Sequence, residues 1–467
     1  MTNFFKGEDL AWLLVFVFSL PAFEFNLGPT IDASIRLVQN LNFDGNQQAL
    51  FAAHLPQGPL AFLQYPLPIG INLSLALIYY GFIKLGILIF LKRQDLSTVQ
   101  ALLLYAAVYL LVAPRLLPLC LLIFILFDQR EKGVFSFTNL ASLSLVLVLL
   151  YTRLSLGILG GALWFVTHLF LVDQKSFGFK RLLAIVSTGF VLLMIFLLPY
   201  CFFSPLSIVI ARFWAILGLN AAYSLEHLSM VFFATVAILL IFAFMLFGTI
   251  TLGPFKAVKL KSHQKAQAFL LLLYALLYFR SRPDAGTYSV LINLALIFFI
   301  AIQAVHSIQV WKSMFIWLAA AMLLGEVFLA QGSFKTTELR VGAFFSQALK
   351  PTGYRDKFRK DNFKERGLIP PSASYTLVTD DFGVGLLENN HFVSSPAYIP
   401  VLAENPLLDS LNAAFYASAV APDYILAQER LEESLSALPR SKEIIRLAYK
   451  LDRKEDGLWI YQKRKKN

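Results

Sequence analysis

The sequence predicts a mainly α, polytopic helical membrane protein with a small C-terminal α/β domain, and three observations carry that prediction. Hydrophobic residues make up 58% of the chain, where soluble domains hold about 45 to 50%. Charged residues make up only 15%, against about 25% in soluble domains. The apolar residues also gather in runs close to the roughly 20 needed to cross a hydrocarbon core. A soluble fold has no interior large enough to hide that surface.

Taken in order, the runs fall at 9–25, 69–91, 98–113, 116–127, 138–152, 155–172, 182–203, 230–253, 267–279, 288–306 and 312–330, about eleven predicted spans. The first, "DLAWLLVFVFSLPAFEF", is short and contains a proline like a signal peptide, but no small-residue cleavage site follows it. An uncleaved first helix is therefore expected. The short connections "LKRQD", "DQREKG", "DQKSFGFKR" and "PFKAVKLKSHQK" are basic and fall on one side of this map, which puts the N-terminus and these loops in the cytoplasm. The formal net charge of +11 follows from that asymmetry and needs no nucleic-acid partner. Cys120 and Cys201 both sit in apolar runs without metal-ligand spacing, so they read as core residues.

On this map the outer side receives a long first loop at 26–68, the Arg115 and Arg153 turns, residues 204–229, "RSRPDAGT" at 280–287 and everything after 330. The domains are thus 1–330, a polytopic transmembrane region, and 331–467, an extracytoplasmic α/β domain. Residues 206–229 place apolar side chains at helical spacing around a few polar ones, which suits a helix lying in the outer interface. In the tail, "SYTLVTDDFGVGLLENNHFV", "DYILAQ" and "LWIYQKRK" read as strands, with "AQERLEESLSAL" and "SKEIIRLAYKL" as amphipathic helices.

The first outer loop contains Asp32 and Asp44, with Glu24 at the end of the first helix and His54 further on. Asp32 opens the stretch "IDASIRLVQNL", whose Ile31, Ile35 and Val38 line one side of a short predicted helix. Spacing alone leaves Asp32 as a helix-start acid favoured by the dipole or as a site acid. Its neighbour "QGPLAFLQYPLPIG" holds Pro59, Pro66 and Pro68, which fix φ, between Gly58 and Gly70. A loop that stiff and apolar is expected to wall a lipid-facing cavity or to form a packed plug. Lys84 lies mid-run in the second span and Glu326 in the last one, and ionisable residues there face cavities or pair. Arg280, Arg282 and Asp284 cluster at the outer end of a later span. The adjacent Asp380 and Asp381 read as a turn, and no Gly-rich phosphate loop or Walker motif occurs.

"IDASI" followed by "QGPLAFLQYP" resembles the D-P-S-W and T-Y-G-P-L-G-F-L stretches of a group of uncharacterised bacterial GT-C-like membrane proteins. "LLYFRSRPDAGT" and "SSPAYIPVLAENPLLDSLNAAFYASAVAPDYIL" look like that group's later outer turn and tail segment. The overall layout resembles the GT-C superfamily of membrane glycosyltransferases. The resemblance implies transfer of a sugar, with inversion, from a polyprenyl-phosphate donor to a glycan, lipid or protein acceptor outside the bacterial cytoplasmic membrane. It places the catalytic base or acceptor-orienting acid at Asp32 and the donor phosphate on Arg280 and Arg282. Glu24, Asp44, His54, Lys84 and Asp284 are supporting candidates. No cofactor is assigned, a divalent cation being compatible with the chemistry, and no metal ligands are named. The chain departs from the group at Ala33, Ile35 and Thr287, where proline, tryptophan and histidine are expected. Two other readings stay open: a transporter or lipid flippase with Lys84 and Glu326 along its path, and a non-catalytic assembly partner that keeps the scaffold.

Overall fold

The computed structural model describes residues 7–19, 59–60, 63, 70–94, 96–129, 136–171, 179–203, 205–207, 209–210, 213, 260–281, 285–306, 363–364, 367–378, 386–387, 390–393, 406–436 and 438–464. Helix dominates these residues, and strands are confined to the C-terminal region. By internal contacts the chain divides into two compact units. One consists of residues 1–24, 74–194 and 223–349, the other of 25–73, 195–222 and 350–467.

In order, the helices of the apolar region are α1 (Gly7–Ser19), α2 (Gly70–Lys92), α3 (Thr98–Leu111), α4 (Leu117–Phe127), α5 (Phe137–Thr152), α6 (Leu154–Phe170), α7 (Phe179–Phe203), α8 (Ser262–Ser281) and α9 (Ala285–His306). Each coincides with an apolar run read from the sequence, while the runs 230–253 and 312–330 lie outside the described residues. Among the described residues, two stretches are long and apolar enough to cross a membrane: Ser74–Lys92 and Leu182–Phe202. Thr98–Tyr109, Leu117–Phe127, Phe137–Thr152 and Leu154–Phe170 are apolar but shorter.

Local chemistry sets several helix ends. Ser97 opens α3 with a capping box, its Oγ accepting from the Gln100 amide and its own amide donating to Gln100 Oε1. Ser136 caps α5 by accepting from the Asn139 amide. Between α3 and α4 the chain makes one 3₁₀ turn at Pro114–Leu116. Arg153, in extended conformation, is the single-residue break between α5 and α6.

Almost every residue of α4 is buried, and it is contacted by α5, α6, α8 and α9. In α2, by contrast, Ala76, Tyr80, Ile83, Ile87 and Leu91 are buried at helical spacing while Ile78, Phe82 and Ile89 are exposed. Exposure is greatest along α7, where Leu183, Phe190, Leu198 and Phe202 are all open. Side chains of that kind are solvated by hydrocarbon at far lower free energy than by water.

The C-terminal region holds β1 (Phe363–Lys364) and β3 (Leu386–Leu387), paired in parallel, and a five-stranded sheet. The sheet contains β2 (Ser374–Val378), β4 (His391–Phe392), β5 (Tyr424–Ala427), β6 (Tyr449–Glu455) and β7 (Leu458–Lys463) in the order β4-β2-β5-β7-β6. The first three are parallel, and β7 runs antiparallel to both β5 and β6. The β6–β7 hairpin turns on Asp456 and Gly457, with φ of 51° and 77°, the left-handed pair that an Asp-Gly turn supplies.

The region also holds helices α10 (Pro406–Ala417), α11 (Leu431–Ser434) and α12 (Pro439–Ala448). Val378, Tyr416, Ile425, Ala427, Leu435, Ile445 and Tyr461 are among the residues of one buried core there. Two tail expectations need correction. "AQERLEESLSAL" gives only the four-residue α11, because its first residues complete β5 and a bend. The end of "SKEIIRLAYKL" leaves the helix at Ala448 and starts β6.

Candidate functional site

Lys84 sits near the middle of α2 and is only 2% exposed. Taking an ammonium out of water is costly unless its donors are met, and here neighbouring helices meet them. Its Nζ donates to the backbone carbonyl of Ser19 in α1. It also stands 5.1 Å from the centre of the Tyr109 ring in α3, within the range of a cation–π contact. Ser19 Oγ donates to the Phe16 carbonyl at 2.7 Å and lies 2.7 Å from the Tyr105 hydroxyl. A serine hydroxyl has one proton, so Tyr105 is the donor in the second contact. The result is a relay from Tyr105 to Ser19 to the backbone of α1, with the ammonium alongside it.

A second buried polar group joins four other helices. Asn139 at the start of α5 accepts from Gln129 Nε2 at 2.8 Å and meets His168 Nε2 of α6 at 2.8 Å. The other His168 nitrogen lies 2.8 Å from the Trp164 carbonyl, and its ring stacks on Trp164. Gln267 of α8 donates to Thr167 Oγ1 at 2.6 Å, and Gln264 donates to the Phe127 carbonyl at the end of α4 at 3.1 Å. These contacts make the cluster an interhelical tie, with Gln267 Oε1 and Trp164 Nε1 left buried without a hydrogen-bond partner among the described residues. Elsewhere in the same region, Asn293 Oδ1 of α9 accepts from the Ala113 amide at 2.6 Å, ahead of the Arg115 turn.

Of the residues singled out from the sequence, Lys84 is buried at this three-helix junction. Arg280 lies in the last turn of α8, and Thr287 in the first turn of α9. Asp32, Glu24, Asp44, His54, Arg282, Asp284 and Glu326 lie outside the described residues, as do Ala33, Ile35, Asp380 and Asp381. Among the described residues no two of the predicted site residues are brought together. No group of three or more His, Cys, Asp or Glu side chains able to hold a metal occurs among them either.

Sequence reasoning missed Lys84's partners. The Tyr105 and Tyr109 pair, four apart on one face of α3, was the available signal, since two hydroxylated rings at that spacing can face one neighbour. Ser19, two residues before Pro21, was the other.

Comparison of the chain with protein-family models, with curated proteins and with solved structures gives no match.

Proposed function

We propose that the chain is a GT-C-like membrane glycosyltransferase that moves a sugar from a polyprenyl-phosphate donor to an acceptor at the outer face of the bacterial cytoplasmic membrane. On this reading the chain crosses the membrane about eleven times, with a cytoplasmic N-terminus and an extracytoplasmic C-terminal domain. The observation that carries it is an ionisable side chain, Lys84, buried in a membrane-length helix and hydrogen-bonded to Ser19 of the first helix, which precedes the acid-bearing first loop in sequence. An ionisable group within a membrane helix is a functional-site candidate by default, and the Ser19 that this one meets precedes the Asp32 loop in sequence.

The reaction assigns one role to each group. Asp32 takes the proton from the acceptor hydroxyl as its oxygen attacks the anomeric carbon. The bond from that carbon to the phosphate oxygen breaks with inversion, and polyprenyl phosphate leaves with the electron pair. Arg280 and Arg282 stabilise the departing phosphate by charge-assisted hydrogen bonds, and Asp284 orients them. Glu24, Asp44 and His54 share the loop with Asp32.

The deciding experiment uses purified chain in nanodiscs with polyprenyl-phosphate sugars. Asp32→Asn is expected to lower transfer by about a hundredfold or more while expression and elution are unchanged. Full transfer by that variant removes the mechanism. The buried lysine also suits a transporter or lipid flippase, for which substrate would cross the bilayer without turnover in the same assay.

A further inference from the structure

Helices α6 and α8 pack against each other, and among the described residues two buried polar atoms on them have no hydrogen-bond partner: the indole Nε1 of Trp164 and the amide Oε1 of Gln267. Trp164 is 2% exposed and Gln267 1%. A buried donor or acceptor left unpaired bears its full desolvation cost, so a donor and an acceptor in one helix pair call for a partner that serves both. Their positions are linked through α6. Gln267 Nε2 donates to Thr167 Oγ1 at 2.6 Å, which holds Oε1 of the same planar amide beside that residue. Trp164 stands three residues before Thr167, a spacing that makes the two neighbours on one helix surface.

The two atoms also define the chemistry of the partner. An indole N–H can only donate and an amide oxygen can only accept, so the partner must accept one hydrogen bond and donate another, as a hydroxyl or a water does. Thr167 offers a third contact. Its Oγ1 donates to the Leu163 carbonyl at 2.6 Å and accepts from Gln267, which uses its proton and one of its two lone pairs. One donor and two acceptors make the set of about three partners that a buried water usually finds.

We infer that Trp164, Gln267 and Thr167 form a binding site for one buried water molecule between α6 and α8. The water accepts from the indole N–H and donates its two protons to Gln267 Oε1 and Thr167 Oγ1. Trp164 stacks on His168, whose Nε2 meets Asn139 of α5, so the water joins that pair to Gln267 and Thr167 and ties α5, α6 and α8 at one point. The site does not depend on the glycosyltransferase reading.

The test uses the full chain in nanodiscs and X-ray radiolysis, in which a held water yields a hydroxyl radical beside the groups that bind it. Trp12 of α1, 5% exposed, is the reference, because it is the same residue type at similar burial. Trp164 is expected to be oxidised about tenfold faster than Trp12, since a water held against the ring supplies the radical that burial otherwise keeps away. Gln267→Leu should bring the Trp164 rate down towards that of Trp12. Equal rates for the two tryptophans in the wild-type chain overturn the site. Thermal midpoints of Trp164→Phe, Gln267→Leu and the double variant form a cycle: one bridging water makes the loss from Trp164→Phe smaller in the Gln267→Leu background than alone. Additive losses overturn the bridge. Where a variant fails to fold, the wild-type comparison of Trp164 with Trp12 decides.

Discussion

Single residues decide how closely α5 and α6 approach. A Cβ built on Gly157 would lie 2.4 Å from Leu150 Cα and 2.5 Å from its nitrogen, a collision with backbone that no rotamer relieves. At Gly161 the nearest atom to such a Cβ is a Val146 methyl at 3.7 Å, an ordinary contact. Gly157→Ala is therefore expected to destabilise the hairpin by about 1 to 3 kcal/mol, the usual cost of overpacking, while Gly161→Ala should be close to neutral. Thermal unfolding of the purified chain in detergent checks both, and equal midpoints for the two variants would contradict the geometry. The sequence "LGILGG" showed small residues at the three- and four-residue spacing that permits close helices. It did not show which glycine faces Leu150, because that depends on the break at Arg153.

Among the elements, α12 depends on a side chain from α10. Asp409 is buried and accepts from the amides of Arg440 and Ser441 at 2.9 and 2.8 Å and from Ser441 Oγ at 2.6 Å. It thereby serves as the N-terminal cap that Leu438, the residue at the cap position, has no side-chain oxygen to provide. Asp409→Ala removes the cap and leaves the buried Ser441 hydroxyl one acceptor short, for an expected loss of about 1 to 3 kcal/mol. Ser441→Ala in the same background should cost less than it does alone. Hydrogen exchange over Pro439–Ala448 is the readout, and a protected α12 in Asp409→Ala would refute the assignment. Asp409 carried no signal in the sequence, since a cap borrowed across 31 residues leaves no local motif. The capping box of Ser97 and Gln100 and the Asp456–Gly457 turn were legible because each is complete within a few residues.

For the whole molecule, alkaline pH tests the C-terminal sheet. Burial raises the Tyr375 and Tyr449 hydroxyls above the ordinary tyrosine range, and for Tyr449 the nearby Tyr416 and Asp423 add to the effect. The native state keeps both phenols protonated where the unfolded chain would ionise them near pH 10. Their contribution is therefore fully present below pH 10 and is lost as pH rises beyond it. Tyrosinate absorbance of the full chain should show one group ionising near pH 10 and a later, steep step as the buried tyrosines are released; a single smooth curve near pH 10 would exclude it. The sequence alone determined where the apolar helices run. A helix satisfies its own backbone, so composition and proline positions within one segment set its existence and length. It also determined the strands whose apolar residues are buried in the C-terminal core. Strand β6 escaped because six of its seven residues are exposed, leaving no alternation to read, and the chemistry of the buried lysine escaped as well. Only the tertiary structure decided that Lys84 meets Ser19 and the tyrosines of α3, because those partners come from three helices and a single chain position says nothing about which neighbours will surround it.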